Sequence, residues 1–178
     1  ALEDARGMLA TAPDDPDPLV MFRPATLSDG EGELADDAGP VDLDRAAVRR
    51  VGSDVTLIAN GGTVAKALSA ADELAGHGIT AEVVDLRTLR PLDGDTLLTS
   101  VGKTHRAVVV DEGWRSVGIA AEVGARIMEG CFYELDAPVA RVCAAEVPIP
   151  YAKHMEDAAL PQIEGIVAAA REVVGARG

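Results

Sequence analysis

From about residue 45 onward, short continuous apolar runs alternate with longer segments whose apolar residues recur at helical spacing. The predicted strands cover residues 55–59, 81–86, 106–111 and 139–144. The predicted helices cover residues 63–77, 92–101, 117–128 and 161–174. Continuous apolar runs are typical of strands buried on both faces, and strands separated by helices require parallel crossovers. The pattern therefore predicts an α/β fold with a doubly wound, mostly parallel sheet.

Turn-forming residues separate the predicted elements. The first apolar run ends at Asn60, Gly61 and Gly62, after which Thr63 is placed to cap a helix. Gly78 stands where a helix commonly ends, and Pro91 interrupts the chain before the next helix.

The first 45 residues have a different composition. Residues 3–12 combine helix formers with acids in the first turn, and Leu19–Phe22 is a short apolar run that predicts a strand. Residues 23–45 are rich in Pro, Gly, Asp and Glu and read as a linker. We therefore expect the tail of one α/β domain at 1–22 and a complete second domain at 46–178. Because the sequence starts at Ala1 within an apparent element, we expect it to be a fragment or a processed product.

Composition and charge narrow the function classes. The chain has 178 residues, of which 48% are hydrophobic and only 3% aromatic, so its core is expected to consist of Val, Leu, Ile and Ala. The net charge of −14 argues against a nucleic-acid partner and an anionic membrane surface. Without a membrane-spanning apolar run or a signal pattern, the chain is expected to be soluble and cytoplasmic. Cys131 and Cys143 are expected to be reduced thiols.

Ligands of doubly wound sheets usually bind beyond the carboxyl ends of the strands. Gly61 and Gly62 lie at such an end, where they either let a helix N-terminus hold a phosphate or simply permit a tight turn. Asp85 occupies the place of a ribose-binding acid in dinucleotide folds. The glycine fingerprints of dinucleotide and P-loop proteins are absent, which favours the tight turn.

Asp111, Glu112 and Trp114 admit two interpretations. Adjacent acids can act as a catalytic pair, but neighbouring residues of a strand point to opposite faces. An exposed Trp in a chain with few aromatics is more typical of a protein interface. The three histidines have no metal-ligand spacing and no associated nucleophile. The residues alone therefore predict no catalytic, cofactor-binding or complete active site in this chain, and they favour Trp114 as a partner-binding residue.

Four sequence segments support a resemblance to a known family. They are residues 86–93 (LRTLRPLD), 111–114 (DEGW), 121–126 (AEVGAR) and 144–153 (AAEVPIPYAK). Together they resemble the beta subunit of the thiamine-diphosphate-dependent component of 2-oxo acid dehydrogenase complexes, of the pyruvate or branched-chain type. The resemblance covers almost the whole chain. It implies the end of a pyrimidine-binding domain at 1–22 and a transketolase C-terminal domain at 46–178.

The resemblance also implies what this chain lacks. In the family, the cofactor-activating acid and the active-site histidine lie in the pyrimidine-binding domain, before the position of Ala1. The diphosphate and its magnesium are held by the alpha subunit. The chain is therefore expected to bind no thiamine diphosphate alone, and to serve assembly of a heterotetramer with the alpha subunit and a second beta subunit.

Two sites follow from the resemblance. A structural potassium ion of the family has ligands at positions that fall on Ala12, Pro13, Asp15 and Asp17, although an Asn is common where Asp17 stands. Asp136 matches a position that docks the subunit-binding domain of the dihydrolipoyl acyltransferase core. Residues 23–44 do not match the family's usual segment after the strand, so the substrate class is left open.

Two alternatives remain beside this interpretation. One is another enzyme with the same C-terminal domain, such as a transketolase-like protein. The other is a free-standing flavodoxin-like binding module. The sequence does not distinguish pyruvate from other 2-oxo acids, because the resemblance places the substrate pocket elsewhere.

Overall fold

The computed structural model describes residues 2–22 and 39–176. Its strands are β1 (Ala47–Arg50), β2 (Val55–Ala59), β3 (Ala81–Asp85), β4 (Ala107–Trp114) and β5 (Ala140–Ala144). They form one sheet in the order β1-β3-β2-β4-β5. Strands β2 to β5 are parallel to one another, and the edge strand β1 pairs with β3 in the antiparallel direction. The predicted mostly parallel sheet is confirmed.

In residues 2–22 and 39–176, six α-helices accompany the sheet. They are α1 (Leu2–Thr11), α2 (Thr63–Gly76), α3 (Gly94–Thr104), α4 (Ile119–Cys131), α5 (Lys153–Ala159) and α6 (Ile163–Gly175). Single 3-10 turns follow α1 at Ala12–Asp14 and α4 at Phe132–Glu134. Among the described residues, no helix combines the length and the apolar character needed to cross a membrane.

Helices cover both faces of the sheet, so that every residue of the central strands β2 and β3 is buried. Leu57 and Ile58 are adjacent in β2, and both are fully buried. Leu57 packs in one cluster with apolar residues of α2 and α6, whereas Ile58 packs in a second cluster with those of α3 and α4. Successive side chains of a strand point to opposite faces, so β2 contributes to two cores. This arrangement confirms the doubly wound α/β fold.

Local signals mark two helix ends, of which the one at Gly78 was predicted and the one at Asp93 was not. The Asp93 side chain accepts a hydrogen bond of 3.0 Å from the Thr96 backbone N–H and caps α3. Gly78 has a φ of 77° just after α2, a conformation that glycine adopts without steric cost. The helix α2 itself begins at Thr63 with Gly62 as its N-cap, and no side chain caps it. The prediction that Thr63 is the capping residue was therefore wrong.

Other predictions from the pattern were also wrong or incomplete. Leu19–Phe22 forms no strand, and all four side chains are exposed. Strand β1 was not predicted because only one face of this edge strand is covered and its sequence, Ala-Val-Arg-Arg, is half charged. Helix α5 was not predicted because it has seven residues, of which only Ala159 is buried. Of the predicted linker 23–45, residues 23–38 lie outside the described residues.

A buried polar network lies at the amino ends of the strands. The Thr56 hydroxyl is 2.9 Å from the Ser100 hydroxyl and 2.7 Å from that of Thr104. The Ser100 hydroxyl donates to the Glu82 carboxylate, which also forms an ion pair with Lys103. Glu82 is 2% exposed, so its charge depends on these neighbours for compensation. The network joins α3 to β2 and β3.

Substitution of Lys103 tests how far the buried Glu82 carboxylate depends on its ion pair for stability. We expect Lys103→Met to lower the free energy of unfolding by about 2 kcal/mol, because a buried carboxylate loses its ion-pair partner while half of the Lys103 side chain is solvated. Urea unfolding followed by circular dichroism measures the change. Lys153→Met is the control, since the ion pairs of Lys153 with Glu156 and Asp157 are solvent-exposed and their loss should change the free energy of unfolding little. Equal losses in the two variants would contradict this role of Lys103.

Candidate functional site

The carboxyl ends of β2, β3, β4 and β5 form the edge of the sheet where a ligand site is expected. Asp111 organises this edge and is 5% exposed. Its carboxylate accepts hydrogen bonds from the backbone N–H of Gly113 at 2.9 Å and of Ala120 at 3.2 Å. Asp111 thus ties the end of β4 to the first turn of α4. Both of its oxygens are used structurally, which argues against a catalytic role.

Glu112 projects to the other side of the chain and is exposed. A Cβ atom built on Gly62 would lie 2.6 Å from the Glu112 Oε1 atom, so the carboxylate occupies the space above the N-terminus of α2. A negative group at this place repels a phosphate. The geometry therefore favours the tight-turn interpretation of Gly61 and Gly62 over phosphate binding. Gly61 supports it with a φ of 53°.

The loop between β4 and α4 is fastened to the segment after β5. Glu146 Oε1 accepts hydrogen bonds from the Ser116 backbone N–H at 2.9 Å and from its hydroxyl at 2.7 Å. These two hydrogen bonds lower the pKa of the Glu146 carboxyl. The guanidinium groups of Arg115 and Arg141 each donate to the other residue's carbonyl, at 3.0 and 3.1 Å. The loop is therefore held in one shape although it lies at the surface.

This fastened loop and Trp114, the last residue of β4 before it, present apolar side chains to solvent. Trp114 is 47% exposed, and Val117 is fully exposed with a φ of 62°. A β-branched residue in this left-handed region is strained and persists only where its surroundings impose the conformation. Ile149 and Tyr151, in the segment that Glu146 connects to the loop, are exposed as well. An exposed apolar surface on a rigid loop is typical of a protein interface.

Asp85, at the carboxyl ends of the strands, and His105, just before β4, both have structural partners. Asp85 does not present its carboxylate to a ligand, because Arg49 bonds its Oδ2 atom at 2.8 Å and the Arg87 backbone N–H bonds its Oδ1 atom at 3.0 Å. The His105 ring contacts the Glu134 carbonyl at 2.7 Å, at the C-terminus of α3. In the described part of the chain, no group of three or more His, Cys, Asp or Glu side chains is arranged to hold a metal ion.

Asp136 lies at the amino ends of the parallel strands, whereas Trp114 lies at their carboxyl ends. Asp136 precedes β5, and its backbone N–H donates to the His105 carbonyl just before β4. Because β4 has eight residues, this places Asp136 roughly 20 Å from Trp114. The Asp136 carboxylate forms an ion pair of 2.7 Å with Arg106, and its side chain is 46% exposed. The two predicted partner-binding residues therefore belong to separate surfaces.

A shallow apolar groove of about 650 Å³ adjoins Asp136. Its walls are the outer side of α4, including Gly124 and Met128, and the chain around Pro138. Arg106, which sequence reasoning did not associate with Asp136, anchors the acid at the rim. No local sequence signal connects the two residues, since they meet only through the pairing of β4 with β5.

The residues predicted to hold potassium lie in one turn after α1. The Ala12 carbonyl accepts a hydrogen bond of 3.3 Å from the Asp15 backbone N–H, and the Asp15 carboxylate accepts one of 2.9 Å from that of Asp17. The Asp15 and Asp17 residues are exposed. Oxygen atoms of this kind suit a hard cation, and each carbonyl or carboxylate retains a second lone pair.

A family model and two curated relatives place the chain among known proteins. Residues 44–166 match the family model of the transketolase C-terminal domain. Over 98% of its length the chain is 45% identical to the mitochondrial pyruvate dehydrogenase E1 component subunit beta of Drosophila melanogaster, of which it covers 49%. It is 40% identical over 97% of its length to the acetoin:2,6-dichlorophenolindophenol oxidoreductase subunit beta of Bacillus subtilis, of which it covers 50%.

A solved structure shares the fold. It is a split-gene transketolase, described as an inactive beta4 tetramer, with a TM-score of 0.70 and 28% sequence identity over 84% of this chain and 47% of that one. The chain thus spans about half the length of the curated relatives and of this structure.

The expected cytoplasmic location is corrected by these relatives. Several of the curated pyruvate dehydrogenase beta subunits, that of the fruit fly among them, are mitochondrial proteins, which points to the mitochondrion rather than the cytoplasm. The sequence argument used the lack of a membrane-spanning run and of a signal pattern, which does not establish a location for a chain that spans about half the length of its relatives.

The sheet order, the covered faces and the family match over residues 44–166 agree with one another. The resemblance inferred from the four sequence segments is confirmed by the 40–45% identity to E1-type beta subunits over nearly the whole chain. The chain belongs to the transketolase C-terminal domain family.

Proposed function

We propose that this chain is the C-terminal portion of the beta subunit of a thiamine-diphosphate-dependent 2-oxo acid dehydrogenase. The observation that carries the proposal is the 45% identity to a pyruvate dehydrogenase beta subunit, which extends over 98% of the chain. Because the similarity covers 98% of the chain, it extends over most of residues 1–43 as well, outside the part matched by the family model. The whole enzyme would oxidatively decarboxylate pyruvate or a related 2-oxo acid and transfer the acyl group to a lipoyl group.

Within that enzyme the chain would serve assembly and docking rather than chemistry. The geometry supports this division, because Asp111 is used structurally and Glu112 occupies the space above the N-terminus of α2. Thiamine diphosphate would supply the carbanion chemistry in the assembled enzyme, with magnesium on its diphosphate. Both would be held by the alpha subunit and by the preceding domain. The described residues of this chain offer no phosphate cradle for either.

The alternative is a transketolase-like enzyme, and the split-gene transketolase favours it by its fold and 28% identity. Transfer of a two-carbon ketol unit between sugar phosphates would then replace oxidation of a 2-oxo acid. The higher identity to the E1-type subunits favours the dehydrogenase.

An activity measurement separates the two candidates. The full-length protein that contains this chain is coexpressed with its alpha-type partner, and reduction of ferricyanide is followed with pyruvate, branched-chain 2-oxo acids and acetoin. We expect reduction that requires a 2-oxo acid, thiamine diphosphate and magnesium. Ketol transfer from a sugar phosphate without any oxidation of these substrates would instead support the transketolase-like enzyme.

The surface around Trp114 is proposed to face another subunit of a heterotetramer with two alpha and two beta subunits. The support is the 47% exposure of this side chain on a loop held by Glu146, together with the small residues Gly118 and Ala121 at the start of α4. Aromatic side chains that are buried on association contribute most of the affinity of many interfaces.

We expect Trp114→Ala to weaken assembly by roughly 2 kcal/mol, because the indole is the largest apolar group on this loop. The folded chain should keep its stability, since about half of the side chain is already exposed to solvent. Analytical ultracentrifugation of the assembled enzyme measures the change in dissociation constant. Tyr133→Ala is the control, as it removes an exposed aromatic group after the far end of α4. Unchanged assembly of the Trp114 variant would contradict this placement.

Asp136 is proposed to dock the subunit-binding domain of the dihydrolipoyl acyltransferase. The acid is exposed at the rim of the apolar groove and carries its charge beside a surface that a partner can cover. Complementary charges mainly raise the association rate.

We expect Asp136→Asn to slow association with the subunit-binding domain, at a cost of about 1 kcal/mol or less, because Arg106 already neutralises part of the charge. The wild-type rate should fall as salt rises, and the rate of the variant should fall less. Surface plasmon resonance at several salt concentrations measures both. Glu134→Gln is the matched control, with the same change in net charge two residues away. Equal rates and equal salt dependence for wild type and Asp136→Asn would show that Asp136 does not belong to the docking site.

Potassium is proposed to bind the turn that contains Ala12, Pro13, Asp15 and Asp17. The support is the supply of carbonyl and carboxylate oxygens within one turn after α1. In the complete protein the ion would stabilise the junction between this helix and the segment that follows it.

A further inference from the structure

Four charged side chains meet where α1 approaches the sheet. Asp4 comes from α1, Arg49 from β1, Asp85 from the end of β3, and Arg87 from the residues that follow β3. Arg49 forms ion pairs with Asp4 and, at 2.8 Å, with Asp85. Arg87 forms an ion pair of 2.7 Å with Asp4. Both acids are nearly buried, at 6% and 5% exposure. We call these four residues the ionic joint.

Two irregularities of the backbone bring the guanidinium groups to this place. The pairing of β1 with β3 shifts between Val48 and Arg50, which makes Arg49 the extra residue of a β-bulge. A bulge turns a side chain out of the regular alternation of a strand. Arg87 has a φ of 55°, which a non-glycine residue adopts only at a cost. Both departures from regular structure direct an arginine towards Asp4.

The rest of α1 offers little apolar contact. Among residues 3–11, only Asp4 and Gly7 are buried, and Leu9 is 62% exposed. Gly7 lies close to Val41, since a Cβ atom on this glycine would lie 2.3 Å from the Val41 Cγ2 atom. The Thr11 hydroxyl donates to the Val41 carbonyl at 2.8 Å. The helix is therefore held by charge and hydrogen bonds rather than by a hydrophobic face.

From this geometry we infer that the ionic joint is a positioning device, which fixes the orientation of the domain to which α1 belongs relative to the sheet. The inference rests on the proposed function in one respect, namely that α1 is the tail of the pyrimidine-binding domain. Charge-assisted bonds from a planar guanidinium are directional, so they specify an angle as well as a contact. An apolar contact of the same area would let the helix slide or rotate.

The joint thereby connects α1 with residues 81–87, which lead to the carboxyl edge of the sheet. A change in the angle of the preceding domain would displace any cofactor held by that domain relative to this edge. The four residues touch no reacting atoms. They act on the bound cofactor only through the position of α1.

Hydrogen exchange measured by mass spectrometry on the full-length protein tests the joint. In Asp4→Asn we expect the amides of residues 5–11 and 39–46 to exchange at least tenfold faster, while those of β2 and β4 keep their wild-type rates. The matched control is Glu3→Gln, which removes the same charge from the neighbouring exposed position of α1. Equal exchange in the Asp4 and Glu3 variants would overturn the inference. Faster exchange throughout the sheet would also overturn it, because the role would then be general stability.

A second variant keeps the test informative if Asp4→Asn fails to fold. Arg49→Lys keeps the charge but loses the forked geometry, so we expect exchange of α1 to lie between wild type and Asp4→Asn. Full wild-type protection in this variant would show that charge alone suffices and would contradict an orienting role.

Titration with the cofactor measures a property that a purely structural role of the ionic joint would leave unchanged. In the assembled enzyme, Asp4→Asn should raise the KM for thiamine diphosphate at least fivefold, with a smaller change in kcat, whereas Glu3→Gln should leave both unchanged. An unchanged KM beside faster exchange of α1 would overturn the link to the cofactor. If the wild-type enzyme oxidises no 2-oxo acid, the proposed function fails, and the exchange experiment still decides whether the ionic joint orients α1.

Discussion

Burial of the central strands on both faces is the constraint on which this structure depends. Every residue of β2 and β3 is buried, so each strand needs helices above and below it. The chain meets this need with α2 and α6 on one face and α3 and α4 on the other. With few aromatic residues available, the contacts consist of Ala, Val, Leu and Ile, which lets helices lie close to the sheet. Polar chemistry is consequently confined to the two edges where strands begin and end.

The edges use their polar groups differently. At the amino edge, Thr56, Ser100 and Glu82 form a closed network that is shielded from solvent. At the carboxyl edge, Asp111 and Glu146 fasten loops that remain at the surface. The first arrangement stabilises the packing of α3, and the second fixes the shape of an exposed loop. A loop that is already rigid loses less conformational entropy when a partner binds, which is the physical advantage of hydrogen bonds at this surface.

The sequence was informative where the signal is local and periodic. The central strands and the long helices follow from apolar runs and helical spacing, and Gly78 marks the end of α2 as predicted. The cap of α3 by Asp93 was not predicted. Strand β1 was not predictable in this way, because an edge strand with one covered face has no continuous apolar run. Leu19–Phe22 shows the converse error, since an apolar run forms a strand only where a partner strand is available. Contacts such as Arg106 with Asp136 depend on strand order, which no local pattern encodes.

The Asp136 carboxylate is already bonded to Arg106, so one of its two oxygen atoms is occupied before any partner approaches. Arg106 bonds the Oδ2 atom and also lies 3.4 Å from the Asp54 carbonyl, so it is anchored on both sides. A second cation that approaches Asp136 must bond the other oxygen or displace this arginine. A simple monovalent ion gains little from an acid that is already neutralised. A donor with defined direction, such as another guanidinium, can still bond the remaining lone pairs, so a partner that bound here would be selected by the geometry of its donors as well as by its charge.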